Sequence, residues 1–188
     1  LDHNQNVAIP QSNWAYWKDG IGGGCIMSCL THQIDGLRWY AGEVDKVTCL
    51  SASRPERMQG EFVGIVAAGM KSGALAELSI NWWTRSNTGA NCLWYEMVQA
   101  CGTRGEAYRM SDRGTFLRLY EPDARALEQY GPGVKDGFVK IESGAWGGHE
   151  RCIGEWVKLL RGEPAEIVTS GRDCRGTVEV AEAAYRSV

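Results

Sequence analysis

The sequence has no apolar run near the roughly 18 residues that a membrane-spanning helix needs, and its opening, LDHNQNVAIPQS, lacks the apolar segment of a secretory leader. Basic residues form no run either. The 20 Lys and Arg are interspersed with 23 Asp and Glu, giving a net charge of -3 and no positive stripe for a nucleic-acid backbone. Repeats, low-complexity tracts and linkers are missing, so a single domain over residues 1–188 is expected. The seven cysteines are odd in number and too sparse for a disulfide scaffold, which implies reduced thiols in a soluble, cytoplasmic protein. The chain does not begin with Met and ends on YRSV without a helix stop, so an excerpt of a longer protein is expected.

The apolar positions are ordered enough to indicate a fold. Ile26, Leu30, Ile34, Leu37 and Ala41 recur at steps of three and four, which predicts an amphipathic helix over Cys25–Ala41, ended by Gly42. From Lys46 the period becomes two. Strands are predicted over Lys46–Ser53, Phe62–Met70, Leu75–Thr84, Cys92–Ala100, Ala107–Met110, Phe116–Tyr120 and Phe138–Ile141, with Lys71-Ser72-Gly73 as a hairpin turn. A late helix carries Ile153, Trp156, Val157 and Leu160 on one side, and a last short helix spans Val178–Ser187. Helix, consecutive strands, then helices make an α+β fold: an open, mostly antiparallel β-sheet with helices packed on one face. Trp82, Trp83, Trp94 and Tyr95 alternate between the two faces of their strands. The face without helices is then expected to meet another subunit, giving a homodimer or homotetramer.

One stretch invites a chemical reading. On a helical wheel of GGGCIMSCLTHQIDGLRWYAG, Ser28, His32, Asp35 and Trp39 share the side opposite the apolar stripe. An imidazole exchanges protons near neutral pH, and a carboxylate one turn on can orient it. The competing reading is a solvated polar face whose helix start is packed closely through glycine, and periodicity leaves both open. GIGGG follows no buried strand, so it fails the context of a dinucleotide fingerprint. Cys25, Cys29 and His32 share a neighbouring arc, yet no CxxC or HxxxH pair completes a four-ligand set, so no metal is expected. His149 and Glu150 read as capping and surface groups. His3 lies in a polar tail and receives no role.

Trp17-Lys18-Asp19, then Gly22-Gly23-Gly24, then Thr31-His32-Gln33-Ile34-Asp35 resemble the second-domain signature of the glucose-fructose oxidoreductase, inositol dehydrogenase and rhizopine catabolism (Gfo/Idh/MocA) family. Gly42-Glu43-Val44, Ser72-Gly73, Gly102-Thr103-Arg104-Gly105 and Ala184-Tyr185-Arg186-Ser187 continue the resemblance in order. It implies the C-terminal substrate-binding and oligomerisation domain of a two-domain oxidoreductase that uses NAD or NADP. The N-terminal dinucleotide domain and the catalytic lysine of its Glu-Lys-Pro segment are not in this sequence, so the isolated chain is expected to be inactive.

By the same resemblance, His32 is the catalytic proton-transfer group for a substrate hydroxyl. Ser28, Lys18, Trp17 and Asp35 line the substrate site, with Gly23 and Gly24 near the nicotinamide. The implied substrate is a sugar, a cyclitol or a related cyclic diol. Family members often carry an aspartate four residues before the histidine and a glycine two before it, where this chain has Ser28 and Leu30. That departure points to a less polar substrate or to altered chemistry. The alternative function is a non-catalytic binding or assembly module that keeps the fold.

Overall fold

Alternation along one strand shows how this sequence builds its sheet. In MQGEFVGIVAAGM, residues Met58–Met70, the side chains of Phe62, Val66, Ala68 and Met70 are buried, while Ile65 and Ala67 face out. Gly64 falls on the buried side because Ile26 lies directly over it; a Cβ there would stand 2.7 Å from Ile26 Cδ1.

The computed structural model describes all residues except 6, 8, 84–93, 143–147 and 168–169. Strand β1 (Asp2–Gln5) and a 3-10 turn (Trp14–Tyr16) precede the short helix α1 (Lys18–Ile21). A π-helical turn (Ile26–Leu30) runs into α2 (Thr31–Ala41). Six strands follow: β2 (Val44–Arg54), β3 (Met58–Met70), β4 (Leu75–Asn81), β5 (Trp94–Gly102), β6 (Gly105–Met110) and β7 (Gly114–Leu119). The chain closes with α3 (Ala124–Tyr130), α4 (Gly133–Asp136), β8 (Val139–Ile141), α5 (Gly148–Leu160) and α6 (Gly171–Arg186). The strands form an open eight-stranded sheet in the order β2-β3-β4-β1-β5-β6-β7-β8, in which β1 pairs parallel with β4 and the other neighbours are antiparallel.

The core lies between one face of β2–β4 and the helices α2 and α6. Ile26, Leu30 and Ile34 meet Phe62, Val66, Leu78 and Ile80, all with no exposed surface, and each such side chain contributes about 1.5–3 kcal/mol by leaving water. Small residues Ala181 and Ala184 bring α6 into the same cluster. Arg38 ties the two helices together. Its guanidinium donates to Glu43 at 2.9 and 3.2 Å, to the Asp173 carbonyl at 2.9 Å and to Thr177 Oγ1 at 3.0 Å.

The expected α+β class, the mostly antiparallel sheet and the hairpin at Gly73 are observed, the last with φ +88° and a 2.9 Å bond from Gly73 N–H to the Met70 carbonyl. Gly42 stops α2 as expected, at φ +86°. Four expectations change. The predicted uniform helix over Cys25–Ala41 contains the π turn, which fits an extra residue between the core positions Ile26 and Leu30. The last helix is longer than Val178–Ser187 and begins at Gly171, capped by Ser170 Oγ accepting from Asp173 N–H at 3.2 Å. The predicted polar tail is strand β1, set between β4 and β5 in mid-sheet. Helix α5 has its amphipathic period, but Ile153 and Leu160 stay exposed. The predicted strand ends at Thr84, Cys92 and Leu93 lie outside the described residues, as does the Trp94 side chain.

Candidate functional site

Two of the three glycines before the site helix, Gly23 and Gly24, are there for close approach of the protein to itself, while Gly22 ends α1 in a left-handed conformation at φ +77°. A Cβ on Gly24 would overlap the backbone of Glu61, one on Gly60 would overlap the Gly23 carbonyl, and one on Gly23 would overlap the Tyr185 hydroxyl. Strand β3 and helix α6 can therefore press against the helix start. Glu61, buried on β3, accepts from Ile26 N–H at 2.9 Å and from the Tyr185 hydroxyl at 2.7 Å. The same Tyr185 oxygen accepts from Gly24 N–H at 3.1 Å and Met27 N–H at 3.2 Å. A side-chain pair thus satisfies N–H groups that every helix start leaves open. Burial pushes the Tyr185 hydroxyl well above the usual tyrosine range, and the bond to Glu61 adds to this. Cys25 is pushed up likewise, by burial and then by the Glu61 charge, and behaves as an inert packing residue.

This arrangement bears on the cofactor contact expected at Gly23 and Gly24. Gly23 N–H donates to the Lys18 carbonyl at 3.0 Å, Gly24 N–H is held by Tyr185, and the Gly24 carbonyl accepts from Ser28 N–H at 3.0 Å. The N–H groups of Gly23 and Gly24 are thus taken up within the protein, and both glycines are buried.

The polar side of the helix is where the wheel put it. His32 and Trp39 are exposed, and Ser28 and Asp35 are half-buried. The residue after His32 belongs to a network that periodicity did not reveal. Gln33, the next residue, is buried and donates from Nε2 to Glu96 Oε1 at 3.0 Å. His3 on β1 is buried too, and its Nδ1–H donates to the same oxygen at 3.0 Å. Strand register places His3 directly opposite Glu96. The bond from His3 holds the Glu96 carboxyl below the usual carboxylate range, with help from Gln33 and from the charge of His32. His3, expected to have no role, is corrected to a buried partner in this network. Two signals in the sequence were available: Gln33 sits on the apolar stripe between Leu30 and Leu37, and Glu96 sits on the strand face it shares with Val98.

The other expected site residues diverge. Asp35 Oδ1 accepts from Thr177 at 3.1 Å and lies 3.9 Å from Arg38, so one oxygen is committed to the joint with α6. Trp17 is exposed, and its Nε1–H donates to the Gln11 carbonyl at 3.1 Å. Lys18 lines a polar cleft of about 600 Å³ with Gln59, Glu61 and Tyr185, on the side of the glycine turn, and neither Ser28 nor His32 lines that cleft. Ser28 Oγ lies 3.8 Å from Cys29 Sγ. Among the described residues no three His, Cys, Asp or Glu side chains gather as a metal site, and no helix is long and apolar enough to cross a membrane.

The fold is an open eight-stranded sheet with a histidine-bearing helix seated on it through a glycine turn. The family model of the GFO/IDH/MocA C-terminal domain matches residues 1–108, more than half of the sequence, and the chain belongs to that family. No curated protein matches it in sequence. Among solved structures it is similar to a proposed oxidoreductase from Thermotoga maritima, with TM-score 0.76 and 18% identity over 99% of this chain and 51% of that one. It is similar to the WlbA dehydrogenase from Bordetella pertussis in complex with NADH and UDP-GlcNAcA, with TM-score 0.68 and 20% identity over 100% and 51%. It also resembles an aldose-aldose oxidoreductase from Caulobacter crescentus complexed with glycerol, with TM-score 0.71 and 18% identity over 99% and 51%. The chain spans about half the length of the solved structures it matches.

Proposed function

We propose that this chain is the substrate-binding and oligomerisation part of an NAD(P)-dependent oxidoreductase that oxidises a hydroxyl of a sugar, a cyclitol or a related cyclic diol, with His32 as the proton-transfer group. Family membership together with an exposed imidazole on the rigidly capped helix carries the reading. Oxidation of a secondary alcohol moves a hydride from carbon and a proton from oxygen, and a bound nicotinamide supplies the hydride acceptor. His32 takes the proton, so the hydroxyl must reach one of its ring nitrogens. Ser28, one turn earlier on the same side, offers a hydroxyl for hydrogen bonds to the substrate. The half-length match supports a separate dinucleotide-binding part, and the N–H groups of Gly23 and Gly24 are engaged within this chain. Pairing of subunits through the helix-free sheet face completes the proposal.

His32→Asn in the full-length protein tests it, with NAD⁺ or NADP⁺ reduction followed over pH 5 to 9 on a panel of aldoses, inositols and nucleotide sugars. Loss of a general base should lower turnover by about 10²- to 10⁴-fold. Unchanged turnover in the variant would remove His32 from the chemistry.

A further inference from the structure

Trp83 stands just past the end of β4, 41% exposed, and two arginines share its ring. The Arg54 guanidinium carbon lies 4.8 Å from the ring centre and that of Arg57 lies 5.5 Å from it. Both side chains come from one tight turn between β2 and β3, Arg54-Pro55-Glu56-Arg57. It is closed by Arg57 N–H donating to the Arg54 carbonyl at 2.7 Å, with proline in its favoured second position. The buried Tyr16 holds the turn in place, its hydroxyl donating to the Pro55 carbonyl at 2.7 Å. Trp83 is held as firmly. Its N–H donates to Asn81 Oδ1 at 2.8 Å, and its ring makes a T-shaped contact with the fully buried Phe62, centres 6.2 Å apart.

One cation over an indole is a complete contact. A second beside it is not, because the two guanidiniums repel each other unless an anion stands close to both. The chain supplies none. Glu56, in the same turn, pairs with neither arginine, and no other carboxylate among the described residues does. The remaining residues of the chain include no Asp or Glu. Arg57 uses one N–H on the Val7 carbonyl at 3.3 Å, and Arg54 uses none on a described residue. Planar guanidiniums grip oxyanions through paired N–H groups. Two of them match the charge of about -1.5 to -2 on a phosphate monoester at neutral pH, whereas one carboxylate would leave a cation uncompensated. We propose that Arg54, Arg57 and Trp83 form a binding site for the phosphate of a phosphate-bearing ligand, gripped by the two guanidiniums with the exposed part of the indole as an apolar wall beside it. No part of this site uses His32, so it stands independently of the proton-transfer role.

The indole Nε1–H resonance of Trp83, identified by its loss in Trp83→Phe, reports on the site in the full-length protein. It is followed at low ionic strength during titration with inorganic phosphate, glycerophosphate, uridine diphosphate and acetate. The phosphate compounds should shift it saturably, with an affinity that falls as NaCl is added. Arg54→Gln/Arg57→Gln should weaken binding by at least about 10-fold, since both charges and their paired donors are gone. Arg54→Lys/Arg57→Lys keeps the charges and loses the fork, so a smaller loss of about 3-fold is expected, and this pair decides the matter if the Gln pair fails to fold. Tighter binding of glycerophosphate or uridine diphosphate than of inorganic phosphate would assign the site to a phosphorylated ligand, and equal binding would assign it to the free ion; both uphold the phosphate contact. Absence of a saturable shift, acetate binding as tightly as phosphate, or an undiminished affinity in the variants would overturn it.

Discussion

The Tyr185 hydroxyl donates to Glu61 Oε1 at 2.7 Å across 124 residues of sequence, and the pair closes over the start of the helix that carries His32. One end of the chain therefore sets where the candidate site sits. The strand side of the clamp is Glu61, and the helix side is the last turns of α6.

Removing the hydroxyl should be costly. Tyr185→Phe deletes the donor to buried Glu61 and the acceptor for Gly24 and Met27 N–H, at about 1–3 kcal/mol. In a domain of this size that is a fall in Tm of several degrees. Urea unfolding of the variant beside its parent checks it, and coincident curves would show that solvent replaces the hydroxyl without loss.

Glycines give a contrast that separates close approach from flexibility. Gly24→Ala has no room against the Glu61 backbone and should destabilise by about 1–3 kcal/mol. Gly154→Ala, within α5 and with nothing near its Cβ position, should stabilise by about 0.5–1 kcal/mol because glycine is a poor helix former. The order of the two melting temperatures is the test; a stabilised Gly24→Ala would mean that the helix start yields.

The helix of the site was legible because Ile26, Leu30, Ile34 and Leu37 keep one period, and Gly42 and Gly73 were legible because positive φ favours glycine. Close packing of the helix start through glycine was legible too, but not its partners, since what fills the space beside Gly23 and Gly24 comes from Tyr185 and Glu61, far along the chain. Strand β1 was missed for a similar reason. Asp-His-Asn-Gln has no apolar alternation, and it is a strand because β4 and β5 pair with it on both sides. His3 is then buried by position and kept polar by Glu96. Gln33 could have been flagged from its place on the apolar stripe and Glu96 from its strand face, but not that the two meet.

Acid should weaken the fold through two carboxylates. Glu96 is held low by His3 and Glu43 by Arg38, both below the ordinary value of 4.5. A folded value below the unfolded one gives stability that is present above the unfolded value and is lost as pH falls through the folded one. The urea midpoint of the parent should therefore drop from about pH 5 toward pH 3. Glu43→Gln/Glu96→Gln should drop less over the same interval, by a modest margin because Glu43 is exposed and Glu96 is half-exposed. Parallel declines in the two proteins would show that neither carboxylate contributes to the acid limb.

The helix-free face of the sheet carries the last prediction. Leu50 and Ile65 are register partners on β2 and β3, and they are 75% and 42% exposed. Farther across the sheet Tyr108 and Phe116 stack with ring centres 4.9 Å apart. Side chains of this kind on a surface strand leave apolar area in water unless a second sheet covers it, and two copies of one chain can do so about a two-fold axis. Leu50→Lys should then convert the oligomer to monomer in sedimentation velocity, because two-fold symmetry places two new charges in one interface. Circular dichroism should be unchanged, as Leu50 touches none of the core. A parent protein that sediments as a monomer at high concentration would dispose of the sheet-face pairing, and a Leu50→Lys variant that stays oligomeric would move the interface elsewhere.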